Sequence, residues 1–300
     1  MCGLVGYLGA ADRHREGNLL ARMTATLVHR GPDEAGYWQE EREAIWLGHR
    51  RLAVVDLSPA GAQPMVSRGG RFVLVFNGEI YNHLPMRETL EGSGTADTWR
   101  GHSDTETLLA GFEVWGIKGT LERSVGMFAC AIWDRATATL TLARDRLGEK
   151  PLYYGWQGRG ADSIFLFGSE LKALKIHPGF EHRINRDALC LLLRHSYIPA
   201  PYSIYSGISK LEPGTMLTVS LKDRQPRQSV YWDAAAVAAN AVSQGFEGSA
   251  EDAINDLERL LTKSIRRQMV ADVPLGAFLS GGVDSSTIVA LMQAQSTMPV

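Results

Sequence analysis

Short apolar runs, separated by Gly, Pro, Asn and Asp, recur along the first part of the chain and restrict the folds that it can adopt. Each run has the length of a β-strand and is bounded by residues that favour turns. Two stretches, 17–28 and 105–115, have helical spacing instead. Many short strands with few helices predict stacked antiparallel sheets. The predicted strands cover residues 4–8, 44–47, 52–56, 72–76, 128–134, 139–144, 152–156 and 164–169.

The composition changes after about residue 222, which predicts a second domain. A polar stretch with Pro226 is followed by an Ala-rich one, and together residues 223–248 fit a linker or a domain edge. Ser249, with Asp252 three residues later, has the pattern of a capped helix N-terminus. Apolar residues then follow at helical spacing through 254–269.

An apolar run at 274–279, a glycine loop and a helix from about Asp284 have the strand–loop–helix order that opens an α/β domain. One strand and one helix are too few for a doubly wound domain, so we expect the chain to be a fragment of a longer protein. The predicted organisation is a first domain at 1–222, a linker or edge at 223–248, and the beginning of an α/β domain at 249–300.

Composition excludes several classes of protein. The 300 residues, 45% of them hydrophobic, are enough for two domains with buried cores. A formal net charge of -2 without single-sign runs indicates binding neither to nucleic acid nor to a membrane. The 3 cysteines form no disulfide framework, and the 8 histidines show no metal-ligand spacing. With no apolar stretch of about 18 residues and no signal peptide pattern, the expected location is the cytoplasm.

Cys2 is the most informative single residue. Removal of Met1 would leave it first in the chain, with a thiol and an α-amine together. An α-amine has a reference pKa of about 8 and can act as a base near neutral pH. A thiol beside such a base is an activated nucleophile. The alternative is a small buried residue that lies at position two by chance. Cys130 and Cys190 lie in apolar runs and are expected to be inert core residues.

Five further residues could bind the amino-acid part of a substrate and stabilise an oxyanion: Arg51, Asn77, Gly78, Glu79 and Asp104. A guanidinium can bind a carboxylate through paired hydrogen bonds, and the two acids could hold an ammonium. Asn77 and Gly78, in a sharp break predicted after a strand, could offer N–H groups to a developing oxyanion. Each has an ordinary alternative: a surface charge for Arg51, a hairpin turn for the Asn-Gly pair and a helix cap for Asp104.

Several motifs appear in a fixed order: Cys2-Gly3-Leu4-Val5-Gly6, His29-Arg30-Gly31-Pro32-Asp33, Arg51-Leu52, Asn77-Gly78-Glu79-Ile80-Tyr81-Asn82 and Ser103-Asp104-Thr105-Glu106. Together they closely resemble the class II, or N-terminal-nucleophile, glutamine amidotransferases. Two further runs, 144–154 and 169–174, resemble the glutamine-hydrolysing asparagine synthetase branch of that family. The resemblance covers essentially the whole chain.

The resemblance implies an α+β fold of the N-terminal-nucleophile hydrolase type, in which two antiparallel sheets are sandwiched between helices. It also implies that Cys2 attacks the side-chain amide of glutamine, while its own α-amine shuttles protons. Asn77 and Gly78 would form the oxyanion hole. The residues at 29–33 are expected to be loop structure near the site rather than a direct catalyst. The charged run at 144–154 is expected to be structural or interfacial.

The same resemblance implies how the α-groups of glutamine are bound. Arg51, Glu79 and Asp104 would bind them, with help from the main chain near Val54 and from Asn77. This sequence shows no departure from the family pattern at these positions.

The loop at 280–286, Ser-Gly-Gly-Val-Asp-Ser-Ser, joins the predicted apolar strand to a helix. Glycines let backbone N–H groups face an anion, serine hydroxyls add donors, and the helix N-terminus adds its dipole. The alternative is an ordinary strand-to-helix turn with a serine cap. The loop lacks the lysine of a Walker motif and resembles the PP-loop of ATP pyrophosphatases. That resemblance implies that Leu279 lies against the nucleotide, that Asp284 is a magnesium ligand, and that pyrophosphate is held by Ser280, Gly281, Gly282, Ser285 and Ser286.

Together the two domains imply a glutamine-dependent amidoligase that uses ATP and Mg²⁺. The enzyme would adenylate a carboxylate, and ammonia from glutamine would displace AMP. Aspartate is the first expected acceptor, which would make the protein an asparagine synthetase, although the acceptor pocket would lie beyond Val300. A homodimer is left open.

Three alternatives remain. Residues 194–205 resemble a branch found in bacterial polysaccharide and secondary-metabolite gene sets, which favours a sugar acid or another carboxylate as acceptor. A non-catalytic scaffold is a second alternative, against which the intact Cys2 and oxyanion pair argue. An amidotransferase that feeds a phosphoribosyl or sugar-phosphate transferase would not carry the loop at 280–286.

Overall fold

Twelve β-strands and eight α-helices form in the part of the chain that the computed structural model describes, residues 1–9, 18–94 and 98–300. Gly17, where the first helix was predicted to begin, lies outside these residues. The strands are β1 Gly3–Leu8, β2 Glu34–Glu40, β3 Ile45–Arg51, β4 Met65–Val66, β5 Phe72–Ile80, β6 Gly126–Asp134, β7 Thr139–Arg144, β8 Tyr153–Gln157, β9 Ile164–Gly168, β10 Ser209–Lys210, β11 Thr215–Val219 and β12 Arg227–Val230. The helices are α1 Leu19–Ala25, α2 His83–Gly92, α3 Asp104–Arg123, α4 Leu171–Leu174, α5 Arg186–His195, α6 Ala234–Gln244, α7 Ala250–Gln268 and α8 Val283–Gln293.

The strands form two six-stranded antiparallel sheets. The first sheet has the order β10-β8-β9-β1-β3-β2, and the second has the order β12-β11-β7-β6-β5-β4. In the longest ladder, β5 pairs with β6 from Phe72 opposite Asp134 to Ile80 opposite Gly126. Short antiparallel strands joined along the chain are what the spacing of apolar runs predicted.

An apolar layer lies between the two sheets, because alternate residues of each strand point into it. In β6, Ala129, Ala131 and Trp133 belong to this layer, whereas Phe128 and Cys130 belong to a second cluster on the other face of the sheet. Both sheets contribute further side chains, all at least 98% buried: Leu4, Leu8, Ile45, Leu47, Val73, Val75, Leu140, Leu142, Phe165, Phe167, Leu217 and Val219.

Helices cover the outer face of each sheet. Helix α1 packs on the first sheet with Leu19 and Met23, and the short helix α4 adds Leu174. Helices α2 and α3 pack on the second sheet, where Met86 and Phe112 reach the cluster below β5 and β6. The predicted α+β fold, with two antiparallel sheets between helices, is therefore confirmed.

The strand predicted at 52–56 does not form. Strand β3 extends from Ile45 to Arg51 and then ends. Asp56 has a φ of 59°, in the left-handed region that does not continue a strand. The apolar residues of this segment therefore belong to a loop.

The sharp break predicted after Phe76 is also wrong. Strand β5 continues through Asn77 and Gly78 to Ile80, because β6 supplies a partner at each of these positions. The hairpin alternative for Asn77-Gly78 is excluded for the same reason.

The second part of the chain follows its predicted pattern only partly. Helix α7 begins with the predicted capping box, in which Ser249 Oγ accepts from Asp252 N at 3.1 Å and Asp252 Oδ2 accepts from Ser249 N at 2.9 Å. The strand predicted at 274–279 is absent, and this segment is irregular and largely exposed. A strand needs a neighbour to share its hydrogen bonds, and the described residues supply none for this segment.

The chain divides into two compact units. The first comprises Met1–Ala53 and Ser58–Asp233, and the second comprises Val54–Leu57 and Ala234–Val300. Among the described residues, no helix is long and apolar enough to cross a membrane.

The shared layer between the sheets makes a prediction about stability. We expect Leu142→Ala to lower the free energy of unfolding of the first unit by about 2–5 kcal/mol, because Leu142 is 0% exposed and its removal leaves a cavity. Leu147→Ala is the matched control, since Leu147 is 66% exposed and should change stability by less than about 0.5 kcal/mol. The measurement is denaturant unfolding followed by circular dichroism. Equal midpoints for the two variants would contradict the proposed core.

Candidate active site

Cys2 lies directly before β1, and the six buried residues of that strand fix its backbone. The N–H of Leu52 donates to Cys2 Sγ at 3.4 Å, and the thiol lies 3.7 Å from the Leu52 carbonyl oxygen. Leu52 follows β3, which pairs with β1 so that Gly3 lies opposite Arg50. The pairing of these two strands therefore determines where the thiol lies.

Arg30 holds the backbone of Cys2. Its Nε donates to the Cys2 carbonyl oxygen at 2.9 Å, and its Nη1 donates to Glu170 Oε1 at 2.9 Å. Glu170 also contacts His29 Nε2 at 2.9 Å and Lys172 Nζ at 3.2 Å. Burial raises the pKa of Glu170, but hydrogen bonds from these three donors outweigh burial and lower the pKa to about 2. The ionised carboxylate anchors Arg30, a contact that the sequence did not indicate beyond placing its loop near the site.

Burial moves the pKa of the Met1 α-amine and the pKa of the Cys2 thiol toward the neutral form of each group. Burial lowers the pKa of the Met1 α-amine, and the charges of Arg30 and Lys150 lower it further. Burial raises the pKa of the Cys2 thiol, although the hydrogen bond with Leu52 and the amine charge oppose this. A thiol that keeps its proton needs a base close by, and after removal of Met1 the α-amine of Cys2 itself would be adjacent to the thiol.

The side-chain amide of Asn77 is buried without an acceptor. Asn77 is 1% exposed and lies in β5 opposite Ala129. Within the described residues, its Nδ2 atom makes no hydrogen bond. A buried donor without an acceptor costs about 1–3 kcal/mol. The fold therefore keeps at this point an N–H donor that a ligand oxygen could satisfy.

Gly78 is required by the close approach of β6. A Cβ atom at this position would lie 2.2 Å from the Met127 carbonyl oxygen and 2.6 Å from Phe128 Cα. Both distances are far below van der Waals contact, so no other residue fits without moving the strand. The backbone of Gly78 is thus held by β6 rather than by a flexible turn.

Glu79 and Asp104 bring two carboxylates into the same region. Asp104 is the first residue of α3, and its Oδ2 accepts from Ile80 N at 2.9 Å, next to Glu79 on β5. The helix cap is Ser103, whose side chain accepts from Glu106 N at 3.3 Å. The structure therefore gives the capping role to Ser103 and leaves Asp104 at the end of β5.

These two acids hold their protons more strongly than usual. Burial raises the pKa of Asp104. Burial also raises the pKa of Glu79, and the charge of Asp104 raises it further. Two carboxylates in one buried region repel each other, and a cation between them would relieve the repulsion. An ammonium group has the charge and the donors for that position.

Arg51 is buried rather than exposed on the surface. Only 5% of its surface is accessible, and its Nη1 donates to Glu34 Oε2 at 3.0 Å and to the Ser58 carbonyl oxygen at 3.4 Å. The surface-charge alternative is therefore excluded. The charge of Asp104 raises the pKa of the Cys2 thiol, and the charge of Arg51 lowers it.

His49 is a structural partner of the site that the sequence analysis missed. It is 0% exposed, and its Nε2 lies 2.9 Å from the carbonyl oxygen of Phe76. Because a carbonyl can only accept, Nε2 carries the proton, and the hydrogen bond joins β3 of one sheet to β5 of the other. Burial lowers the pKa of His49 to about 4. The motif Arg51-Leu52 was the only nearby signal in the sequence.

Val54 lies in the second unit. Its carbonyl oxygen accepts from Asp272 N at 2.9 Å, and Asp56 N donates to Asp272 Oδ2 at 2.6 Å. The contribution of Val54 to glutamine binding stays a prediction.

The loop at 280–286 has the features of an anion cradle. Gly281 has a φ of 84°, and a Cβ atom there would meet no atom within 4 Å. Gly282 precedes α8 without a side-chain cap. Ser280 Oγ and Ser285 Oγ are 2.9 Å apart. Uncapped N–H groups, two hydroxyls and an open approach fit a phosphate group.

Asp284 is the acidic residue in the first turn of α8, and its carboxylate oxygens are ligands of the kind that Mg²⁺ binds. The described residues contain no group of three or more His, Cys, Asp or Glu placed to hold a metal ion. A magnesium ion at this loop would therefore need phosphate or water oxygens as its other ligands. Leu279 directly precedes the loop. Ser286 is its last residue, and Ser286 N donates to the Gly282 carbonyl oxygen at 3.1 Å.

Comparisons with protein families cover most of the chain. A family model described as glutamine amidotransferase domain matches residues 1–232, and one described as asparagine synthase matches residues 256–300.

Similar proteins extend beyond this chain. Asparagine synthetase (glutamine-hydrolyzing) 3 of Bacillus subtilis is 36% identical over 296 residues, which are 97% of this chain and 45% of the relative. Asparagine synthetase (glutamine-hydrolyzing) 1 of the same organism is 34% identical over 294 residues, 97% of this chain and 44% of the relative. Amidase chry2 of Gibberella zeae is 32% identical over 271 residues, 89% of this chain and 37% of the relative. The chain spans less than half the length of these curated relatives.

Solved structures share the fold at low identity. The glutamine phosphoribosylpyrophosphate amidotransferase of B. subtilis, in complex with ADP and GMP, aligns with a TM-score of 0.54 and 19% identity over 77% of this chain and 49% of that chain. A structure of the allosteric regulatory enzyme of purine biosynthesis aligns with a TM-score of 0.56 and 20% identity over the same shares.

The buried His49 makes stability depend on pH. Its pKa is lowered from 6.5 to about 4, so the unfolded chain binds a proton that the folded chain rejects. The free energy of unfolding is therefore highest above pH 6.5 and falls by about 3 kcal/mol as the pH decreases toward 4. We expect His49→Gln to have a smaller loss of stability over this window than the parent. Denaturant unfolding at several pH values measures it, and equal slopes for parent and variant would argue against a buried neutral His49.

Proposed function

Since the chain belongs to the glutamine amidotransferase family, we propose that its first unit hydrolyses glutamine to glutamate and ammonia, with Cys2 as the nucleophile. The observation that carries the proposal is the Asn77 amide, which is buried without an acceptor close to the end of β5. A buried donor of this kind suits an oxygen that gains negative charge during the reaction. A non-catalytic scaffold would have no use for it.

The proposed reaction uses the residues as follows. The α-amine takes the proton from the thiol, and Cys2 Sγ attacks the carbon of the glutamine side-chain amide. The amide oxygen becomes an oxyanion that the Asn77 side chain and the Gly78 N–H stabilise. The amine then returns the proton to the leaving nitrogen, which departs as ammonia and leaves a thioester. Water hydrolyses the thioester to glutamate and restores the thiol.

Binding of the α-groups of glutamine follows from the charges of the site. Arg51 would bind the α-carboxylate, and Glu79 with Asp104 would bind the α-ammonium. The raised pKa of each acid supports this assignment, because a cation would favour the ionised form that the empty region disfavours. The main chain of Val54 and that of Asn77 would complete the site.

For the whole protein, we propose the reaction of an asparagine synthetase that hydrolyses glutamine. The protein would use ATP to adenylate aspartate, and ammonia from the first unit would displace AMP to give asparagine. Mg²⁺, bound with Asp284, would neutralise the phosphate charge. Pyrophosphate would lie on Ser280, Gly281, Gly282, Ser285 and Ser286, with Leu279 against the nucleotide. The match of residues 256–300 to the asparagine synthase family supports this role.

A different carboxylate is the second candidate acceptor. Residues 194–205 resemble a branch with other acceptors, and a relative named amidase chry2 shares 32% identity with this chain. The boundaries at 1–222, 223–248 and 249–300, a homodimer and a cytoplasmic location also belong to the proposal.

The nucleophile is tested by Cys2→Ala. We expect the parent to release glutamate from glutamine, and the variant to lose at least about 10³-fold in kcat, because the thioester can no longer form. Cys190→Ala is the matched control, since Cys190 is exposed and the prediction that it lies in the core, unlike that for the buried Cys130, is wrong. Glutamate is measured by a coupled assay, and mass spectrometry checks whether Met1 has been removed. Turnover in Cys2→Ala equal to that of the parent would overturn the proposal.

The loop is tested in the full-length protein. We expect Asp284→Asn to lower ATP-dependent pyrophosphate formation by at least about tenfold, because the phosphate charge loses a magnesium ligand. Asp256→Asn is the matched control, since the Asp256 side chain is 53% exposed and pairs with Arg259 on the helix surface. Unchanged pyrophosphate formation in Asp284→Asn would speak against the assigned loop.

A further inference from the structure

The buried carboxylate of Asp145 accepts hydrogen bonds from four backbone N–H groups. Asp145 is 0% exposed. Its Oδ1 accepts from Leu147 N at 3.1 Å and from Glu149 N at 2.9 Å. Its Oδ2 accepts from Lys150 N at 3.0 Å and from Phe128 N at 3.1 Å. One side chain therefore ties the loop after β7 to the first part of β6.

The main chain of Asp145 strengthens the same connection. Asp145 N donates to the Phe128 carbonyl oxygen at 2.8 Å, so Phe128 is held through both its N–H and its C=O. Phe128 lies directly opposite Gly78 in the β5–β6 ladder. Because a Cβ at Gly78 would lie 2.6 Å from Phe128 Cα, these two backbones pack as closely as strands can. A shift of Phe128 would therefore move Gly78.

The loop that Asp145 holds also carries Lys150. Lys150 is 5% exposed; burial lowers its pKa, and the charges of Glu79 and Glu149 raise it. Arg144 closes the loop from the other side, since its Nε donates to the Lys150 carbonyl oxygen at 2.7 Å. Both the N–H and the C=O of Lys150 are therefore held by side chains, those of Asp145 and Arg144.

We propose that Asp145 is a positioning residue of the glutaminase site, which acts through the backbone of Phe128 on Gly78 and holds the loop that carries Lys150. This inference rests on the proposed function, because Gly78 and Glu79 matter only if glutamine is the substrate. The charged run at 144–154 thereby gains a role in catalysis without touching the substrate.

Lys150 affects the binding half of the site through Glu79. The groups that act on Glu79 are Asp104, Lys150 and the N-terminal amine, and Tyr81 is a further titratable neighbour. Burial and Asp104 raise the pKa of Glu79, whereas Lys150 and the amine lower it. As the pH falls through that pKa, Glu79 is protonated, the ammonium loses a partner and KM rises. Without Lys150 this rise should begin at a higher pH.

The test compares Asp145→Asn with Asp134→Asn in the 300-residue chain. In Asp145→Asn, an NH₂ group faces two backbone N–H donors, so Gly78 is displaced, and we expect kcat for glutamine to fall by about 10- to 100-fold. Asp134 lies at the other end of β6, is 7% exposed and pairs with Arg71. Asp134→Asn makes the same chemical change at a buried carboxylate of β6, the strand to which Asp145 is bonded, and should keep kcat within about twofold of the parent. Thermal unfolding shows whether each variant folds.

The second pair of variants keeps the test decisive if Asp145→Asn does not fold. We expect Lys150→Met to shift the acid-side rise of KM to higher pH, and Lys150→Arg to restore the profile of the parent. A folded Asp145→Asn variant with the kcat of the parent, or with no greater loss than Asp134→Asn, would overturn the inference. An unshifted profile in Lys150→Met would do the same. An inactive parent would instead overturn the proposed function, and the inference with it.

Discussion

The hydrogen bond from His49 to the Phe76 carbonyl joins the two sheets at the place where the site residues converge. On one side of this bond β3 ends at Arg51, and on the other side β5 continues into Asn77. Both strands also bury alternate residues in the apolar layer between the sheets, so neither can shift without opening that layer. The relative position of Arg51 and the Asn77 amide is therefore a property of sheet packing rather than of any local motif.

Burial acts on the titratable groups of the site in one direction, toward their neutral forms. The α-amine releases its proton more easily, and the thiol, Glu79 and Asp104 hold theirs more strongly. Glu170 behaves differently because three donors surround its carboxylate, and these outweigh the cost of desolvation. The contrast shows that the hydrogen bonds and charges around Glu79 and Asp104 do not offset burial as those around Glu170 do, and a bound ammonium would add to them.

Local sequence patterns predicted those elements well whose conformation depends on residues close together in the chain. The capping box at Ser249 and the antiparallel strands are examples, since hydrogen bonding at a helix end and alternation along a strand are short-range properties. The predictions failed where the conformation depends on pairing with a segment that is distant in the chain. Asn77-Gly78 has the composition of a turn, yet β6 makes it a strand. The run at 274–279 has the composition of a strand, yet it has no neighbour among the described residues.

The sequence by itself determined the sheet-rich first domain, the family to which residues 1–232 belong and the candidate residues Cys2, Asn77, Gly78, Glu79 and Asp104. Only the tertiary structure decided how those residues are held. Arg30 on the Cys2 carbonyl, His49 between the sheets and Asp145 on Phe128 are contacts between segments that are far apart in the chain. Such contacts depend on strand order and on which groups become buried together, and neither can be read from the spacing of residues along one chain.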